Sequence, residues 1–137
     1  MGEMRILAID YGRKRIGLAV SDPLGMMAHG LETLERRSLR KDLTRLGALI
    51  REKEVELLVV GNPIHLNGEA SEMSAEAETF GARLSETAGV PYRMWDERLT
   101  SREAGHLLRE TGRTVRRDGG VDRLAAQIIL DSFLASQ

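Results

Sequence analysis

Residues 4–10, Met-Arg-Ile-Leu-Ala-Ile-Asp, form a short continuous apolar run closed by Tyr11-Gly12. The run is too short for a helix and predicts a buried strand ending at Asp10. Residues 15–21, Arg-Ile-Gly-Leu-Ala-Val-Ser, predict a second strand. The four-residue connection between the two implies an antiparallel hairpin. A third strand is expected within residues 26–34, with Gly25 and Gly30 blurring its edges. Ser38 is the expected N-cap of a helix over residues 39–53, in which Leu39, Leu43, Leu46, Leu49 and Ile50 recur at helical steps. Residues 55–60 predict a buried strand stopped by Gly61-Asn62-Pro63. A second helix is expected over 71–87, with Met73, Ala77, Phe80 and Leu84 inward and Gly89 ending it. Residues 90–95 predict a fifth strand, and Thr100 with Glu103 match the capping-box spacing of a short third helix. The last helix is expected over 122–135, with Leu124, Ala125, Ile128, Ile129 and Phe133 inward, after a glycine- and arginine-rich flexible stretch at 111–121. Three strands in succession followed by alternating helices and strands predict an α/β fold, a mixed five-stranded sheet with helices on both faces.

Composition narrows the function classes. The chain has 137 residues, which fits one domain over 1–137. Lys plus Arg number 20 and Asp plus Glu 21, so a nucleic-acid contact must come from a local patch rather than the net field. Trp95, Tyr11, Tyr92, Phe80 and Phe133 are the whole aromatic set, too few for a multi-base stacking platform. Absence of cysteine excludes disulfides, thiolate metal sites and cysteine nucleophiles together. No apolar run approaches the ~18 residues of a membrane span, and the N-terminal residues lack the pattern of a secretory signal. A soluble cytoplasmic protein with no membrane partner is therefore expected.

Three acidic residues stand out by position. Asp10 closes the first strand, Glu97 follows the fifth and Asp122 opens the last helix. Each has an ordinary reading: Asp10 as a turn former, Asp122 as a helix-capping carboxylate, Glu97 as the partner of Arg98 or Arg93. Helical periodicity nevertheless places Asp122 on the side of Ile129 and Phe133, which is expected to face inward. Strand ends gathered on one edge of an open sheet are where such folds bind ligands. Carboxylates converging there without thiolates or a histidine cluster make a hard oxygen site suited to Mg²⁺ or Mn²⁺. His29, His65 and His106 have no ligand spacing, and Ser21, Ser71 and Ser101 no nucleophile-elbow context. Trp95 reads as core, and the Met26-Met27 pair as core filler or an interface.

The segment Asp10-Tyr-Gly-Arg-Lys-Arg-Ile-Gly-Leu-Ala-Val-Ser-Asp22 resembles the opening block of the YqgF/RuvX family. Val59-Val-Gly-Asn-Pro63 with Leu66-Asn-Gly68, Asp96-Glu-Arg-Leu-Thr-Ser101, and Gly120-Val-Asp-Arg-Leu-Ala-Ala-Gln-Ile-Ile-Leu130 resemble its later blocks, in family order. Gly61-Asn62-Pro63 stands where the family usually has Gly-Leu-Pro. The resemblance implies a ribonuclease H-like fold and a metal-dependent nuclease, acting in pre-16S ribosomal RNA maturation or in Holliday junction resolution. It also implies that Asp10, Glu97 and Asp122 are the metal ligands, the three residues already singled out by position. In the mechanism expected from them, Asp10 bridges two Mg²⁺ or Mn²⁺ ions, Glu97 and Asp122 hold one each, and an activated water attacks phosphorus in line.

The basic residues fit a polyanionic substrate, RNA or DNA. Arg13, Lys14 and Arg15 lie in the first hairpin, while Arg109, Arg113, Arg116, Arg117 and Arg123 surround the stretch before Asp122. Arginine forks match phosphate geometry, and Arg98 joins this set, with orientation of Glu97 as its alternative. Such runs are also commonly plain solvated surface. Pre-ribosomal particles are the partners implied for RNA maturation, whereas symmetric junction cleavage requires a homodimer. Two rival classes remain. An Asp-x-Gly hairpin also opens actin-like ATPases and sugar kinases, but these need a second domain for which the chain has no room. A non-catalytic nucleic-acid-binding module would tolerate loss of a carboxylate, and this chain carries all three.

Overall fold

The computed structural model describes residues 4–63, 72–96 and 120–137, the side chains of 120–123 excepted. The elements run β1 (Ile6–Asp10), β2 (Arg15–Ser21), β3 (Ala28–Gly30), β4 (Leu34–Glu35), α1 (Leu39–Glu52), β5 (Leu57–Asn62), α2 (Glu72–Ala88), β6 (Tyr92–Asp96) and α3 (Gly120–Ala135). The sheet order is β3-β2-β1-β5-β6, with β4 also paired to β2. Strands β1, β5 and β6 are mutually parallel, and β2 runs antiparallel to β1 and to β3. The mixed sheet with helices on both faces is the one the sequence predicts. The short helix expected after Thr100 and the stretch 111–121 lie outside the described residues.

Two expectations are corrected. The single third strand is two, because β2 is long enough to pair twice: Ala19–Ser21 with β3, and Arg15–Ile16 with β4. The sheet thus has six strands among the described residues rather than five. The strand expected over 55–60 runs through Gly61 and Asn62 instead of stopping there, since both pair with β6 as Gly61↔Trp95 and Asn62↔Asp96.

Strand alternation divides the core. Leu7 and Ile9 of β1, with Leu18, Val20, Leu58 and Val60, pack against Leu46 and Ile50 of α1 and Ala77, Phe80 and Leu84 of α2. Ile6 and Ala8, with Ala19, Ala28, Leu57 and Val59, face Ala126, Ile129, Leu130 and Phe133 of α3. Full burial of an aliphatic side chain contributes about 1.5–3 kcal/mol, so these two layers hold the sheet. The alanines at 8, 19 and 28 leave α3 room to lie close on β1–β3. Ser38 caps α1, its Oγ accepting from the Lys41 N–H at 3.2 Å. Gly89, at φ 73°, ends α2 with its N–H donating to the Ser85 carbonyl at 2.8 Å.

The inward stripe of α1 differs from its expected form. Leu39 is exposed, whereas Asp42 is fully buried. Met26 and Met27 are 72% and 61% exposed, which removes the core-filler reading of the pair. No helix among the described residues is long and apolar enough to cross a membrane.

Candidate functional site

Parallel pairing brings the carboxyl ends of β1, β5 and β6 to one edge of the sheet, where Asp10, Asn62 and Asp96 are the last strand residues. Asp10 is half-buried at the end of four fully buried residues, a position where a carboxylate loses part of its hydration. By alternation it shares the α3 face with Ile6 and Ala8. Helix α3 runs back against the parallel strands. Its last residues Phe133 and Leu134, with Gln137 just beyond its end, line a cavity with Ile6, Leu57 and Tyr92, the first residues of those strands. Its first turn, which contains Asp122, is thereby directed toward the Asp10 edge. Asp122 precedes the buried Ala126, Ile129 and Phe133 by whole helical steps. Glu97 follows Asp96 in the sequence and lies outside the described residues, as do Arg98, Arg109, Arg113, Arg116 and Arg117.

The turn after Asp10 is tightly held. A Cβ on Gly12 would sit 2.3 Å from the Arg15 carbonyl oxygen, so only glycine fits there. From outside the turn, Arg36 Nη1 donates to the Gly12 carbonyl oxygen at 3.0 Å, and the Arg36 backbone N–H donates to the Lys14 carbonyl at 2.9 Å. Arg36 Nε donates to Asp42 Oδ2 at 2.7 Å, and the Arg37 N–H donates to Asp42 Oδ1 at 3.1 Å. The flat guanidinium lies 5.0 Å from the Tyr11 ring centre and 5.2 Å from that of Phe80. Burial opposes the charge on Arg36, yet its hydrogen bond to Asp42 and the neighbouring negative charge of that carboxylate, with Tyr11 adding to them, outweigh that and raise its pKa. Neither Arg36 nor Asp42 figures among the residues the sequence singles out. The signal available was Asp42 itself, four residues before Leu46 and eight before Ile50, an acid on the inward stripe.

The hairpin cations divide. Arg13 Nε donates to both carboxylate oxygens of Glu76 on α2, at 3.1 and 3.0 Å, and Nη2 reaches Glu76 and, at 3.8 Å, Glu72. The Tyr11 hydroxyl donates to the same Glu76 at 3.3 Å. Lys14 is exposed and Arg15 half-buried in β2. The Arg13 hydrogen bonds hold the Glu76 carboxyl below its ordinary pKa. A lowered carboxylate pKa means the pair contributes above the unfolded value and is lost as pH falls through the folded one. The pair is therefore expected to persist at neutral pH and to open only under acid conditions, read by NMR titration of the Glu76 side chain. Replacing Glu76 by Gln is expected to tighten binding of an RNA oligonucleotide by about two- to fivefold, the range of exposed ion pairs, measured by fluorescence anisotropy. Unchanged affinity would mean that Arg13 does not meet the substrate.

Other candidates take structural roles. Trp95 packs edge-on against Phe133 with ring centres 5.3 Å apart, and its Nε1 donates to Ser132 Oγ at 3.1 Å. His29 is exposed on β3, and His65 and His106 lie outside the described residues. Ser21 Oγ accepts from the Ile6 N–H at 2.8 Å in the core. Ser74, buried on α2, donates to Asn62 Oδ1 and ties the end of β5 to that helix.

A hard divalent cation suits the carboxylate at Asp10, since oxygen donors select Mg²⁺ and Mn²⁺. Among the described residues, no three His, Asp or Glu side chains form a ligand group.

A family model described as RuvX, Holliday junction resolvase, matches residues 4–136. A candidate pre-16S rRNA nuclease of Koribacter versatilis is 48% identical over 131 residues, covering 95% of this chain and 86% of the relative. One of Syntrophus aciditrophicus is 44% identical over 132 residues, covering 96% and 88%. Among solved structures, Thermus thermophilus RuvC in complex with a Holliday junction substrate superposes with a TM-score of 0.65 at 17% identity, covering 97% of this chain and 96% of RuvC. The large terminase nuclease of the thermophilic phage G20c gives 0.54 at 16% identity, covering 90% and 80%. At those identities the two structures speak for the fold.

Proposed function

We propose a function from one premise: this chain belongs to the RuvX family and is a nucleic-acid-cleaving nuclease of ribonuclease H-like fold. The substrate assigned to it is precursor 16S ribosomal RNA, cut at its 5′ end within a pre-ribosomal particle. The observation that carries the assignment is that relatives 48% and 44% identical over nearly the whole chain are named as candidate pre-16S rRNA nucleases.

In this reading Asp10, Glu97 and Asp122 hold Mg²⁺ or Mn²⁺, as two ions. Three features of the chain support the set. Asp10 ends β1 on the α3 face, Asp122 lies in the first turn of α3, and Glu97 follows in sequence directly on Asp96, the last residue of β6. Divalent ions held there by Asp10, Glu97 and Asp122 would supply Lewis-acid polarisation and stabilisation of negative charge at the phosphoryl group. The chain's own part is to hold the carboxylates and seat the phosphodiester. Lys14, Arg15, Arg98, Arg113, Arg116 and Arg117 are assigned to backbone phosphates, joined by Arg13 when it exchanges Glu76 for a phosphate.

The second reading is a junction resolvase, favoured by the description of the matching family. It requires two symmetric sites and hence a homodimer. Cleavage of a labelled precursor rRNA fragment, single-stranded DNA and a four-way junction, each with Mg²⁺ or Mn²⁺ and with EDTA, separates the two. Metal-dependent cutting of the RNA at the mature 5′ end is expected. Preferential, paired cutting of the junction would overturn the RNA assignment.

A further inference from the structure

We infer that Arg36 is a positioning residue for the metal site, acting through the turn that follows Asp10; the inference rests on the carboxylate reading above. Asp42 is fully buried and the Arg36 side chain only 17% exposed. A buried ion pair is a poor device for stability alone, since apolar residues of similar volume commonly serve as well. The contact that apolar residues cannot supply is the third one, from Arg36 Nη1 to the Gly12 carbonyl oxygen, two residues beyond Asp10. With the backbone N–H of Arg36 on the Lys14 carbonyl, residue 36 holds the turn at two points. A side chain at Gly12 would collide with the Arg15 carbonyl, so the turn closes only with glycine there.

Asp42 fixes the guanidinium in this pose, taking Nε with one oxygen and the Arg37 N–H with the other. Tyr11 and Phe80 lie against its flat face. The chain of restraint runs from buried Asp42, through Arg36, to the Gly12 carbonyl and so to the backbone that sets the Asp10 carboxylate. A lysine can pair with Asp42 but lacks the planar fork that reaches Asp42 and Gly12 together.

The test is calorimetric titration of the full chain with Mn²⁺, beside steady-state cleavage of the RNA substrate. Arg36→Met combined with Asp42→Leu removes both charges at once, leaving neither buried and unpaired. Its thermal midpoint is expected to stay near the parent's. Its Mn²⁺ affinity is expected to fall about 10- to 100-fold, as when a group that orients a metal ligand is lost. The kcat should fall with it while KM for RNA holds. Arg36→Lys should fall between parent and double variant, and it decides the question by the same titration if the double variant does not fold. Parent-like Mn²⁺ binding in these variants, with binding lost in Asp10→Asn, would overturn the role of Arg36 and leave the carboxylate site standing. Parent-like binding in Asp10→Asn itself would overturn the site, and this inference with it.

Discussion

Asp10→Asn is expected to fold as the parent does and to lose at least about 100-fold of its metal-dependent cleavage rate. The substitution keeps the shape of a side chain at the end of β1, half-buried behind Ile6–Ile9, so the β1–β2 and β1–β5 pairings have no reason to change. What it removes is the negative charge proposed above to hold a divalent ion. Charge stabilisation by such an ion is worth several kcal/mol in the transition state, and each ~1.4 kcal/mol is tenfold in rate. Single-turnover cleavage of the RNA fragment, with circular dichroism to confirm folding, reads the effect. Equal activity in parent and variant would mean that the cutting comes from elsewhere than this carboxylate.

Asp42→Ala is expected to destabilise the protein as strongly as a core truncation, costing about 3–5 kcal/mol, the range for removing one partner of a buried ion pair. Arg36 would keep its charge in a site only 17% exposed, with its carboxylate gone. The Arg37 N–H would lose its acceptor as well. Equilibrium urea denaturation checks this through the midpoint. Paired replacement of Arg36 by Met and Asp42 by Leu should recover most of the loss, because no buried charge is then left alone. A loss below about 1 kcal/mol in Asp42→Ala would show that water reaches the site and replaces the carboxylate.

Local pattern carried much of the architecture. The apolar runs at β1 and β2, the Ser38 cap, Gly89 at the end of α2, and Ile128, Ile129 and Phe133 on the inward side of α3 are legible in the sequence, whereas Ala126 and Leu130 of α3 are buried and the expected Leu124 and Ala125 only half-buried. They depend on periodicity and on the backbone preferences of single residues. Where the pattern was short or mixed, long-range partners decided. The segment Ala28–Glu35 became two strands because β2 offered it two separate places to pair. Asn62 became a strand residue because Asp96 lay opposite it. Met26 and Met27, hydrophobic by type, ended on the surface in the turn between β2 and β3.

The candidate site divides in the same way. Asp10 could be located from sequence because an acid closing a buried strand stands out in the pattern, and Asp122 because its helical phase matches that of Ala126 and Phe133. Arg36 and Glu76 could not, and Asp42 showed only as an acid on the inward stripe of α1. Their significance lies in what they touch, and those contacts join segments far apart in the chain: Arg36 to Gly12, and Glu76 to Arg13. An arginine in a polar stretch reads as surface until a buried carboxylate and two rings are found around it. What the sequence by itself determined is the type and order of most elements and the strand faces, since alternation by two and by 3.6 is written locally along each element, while the exact inward stripe of α1 shifted from Leu39 to Asp42. Only the tertiary structure decided which strand ends share an edge and which cation is held by which carboxylate. Parallel pairing of β1 with β5 and β5 with β6 is made across intervening helices, and no local period encodes it.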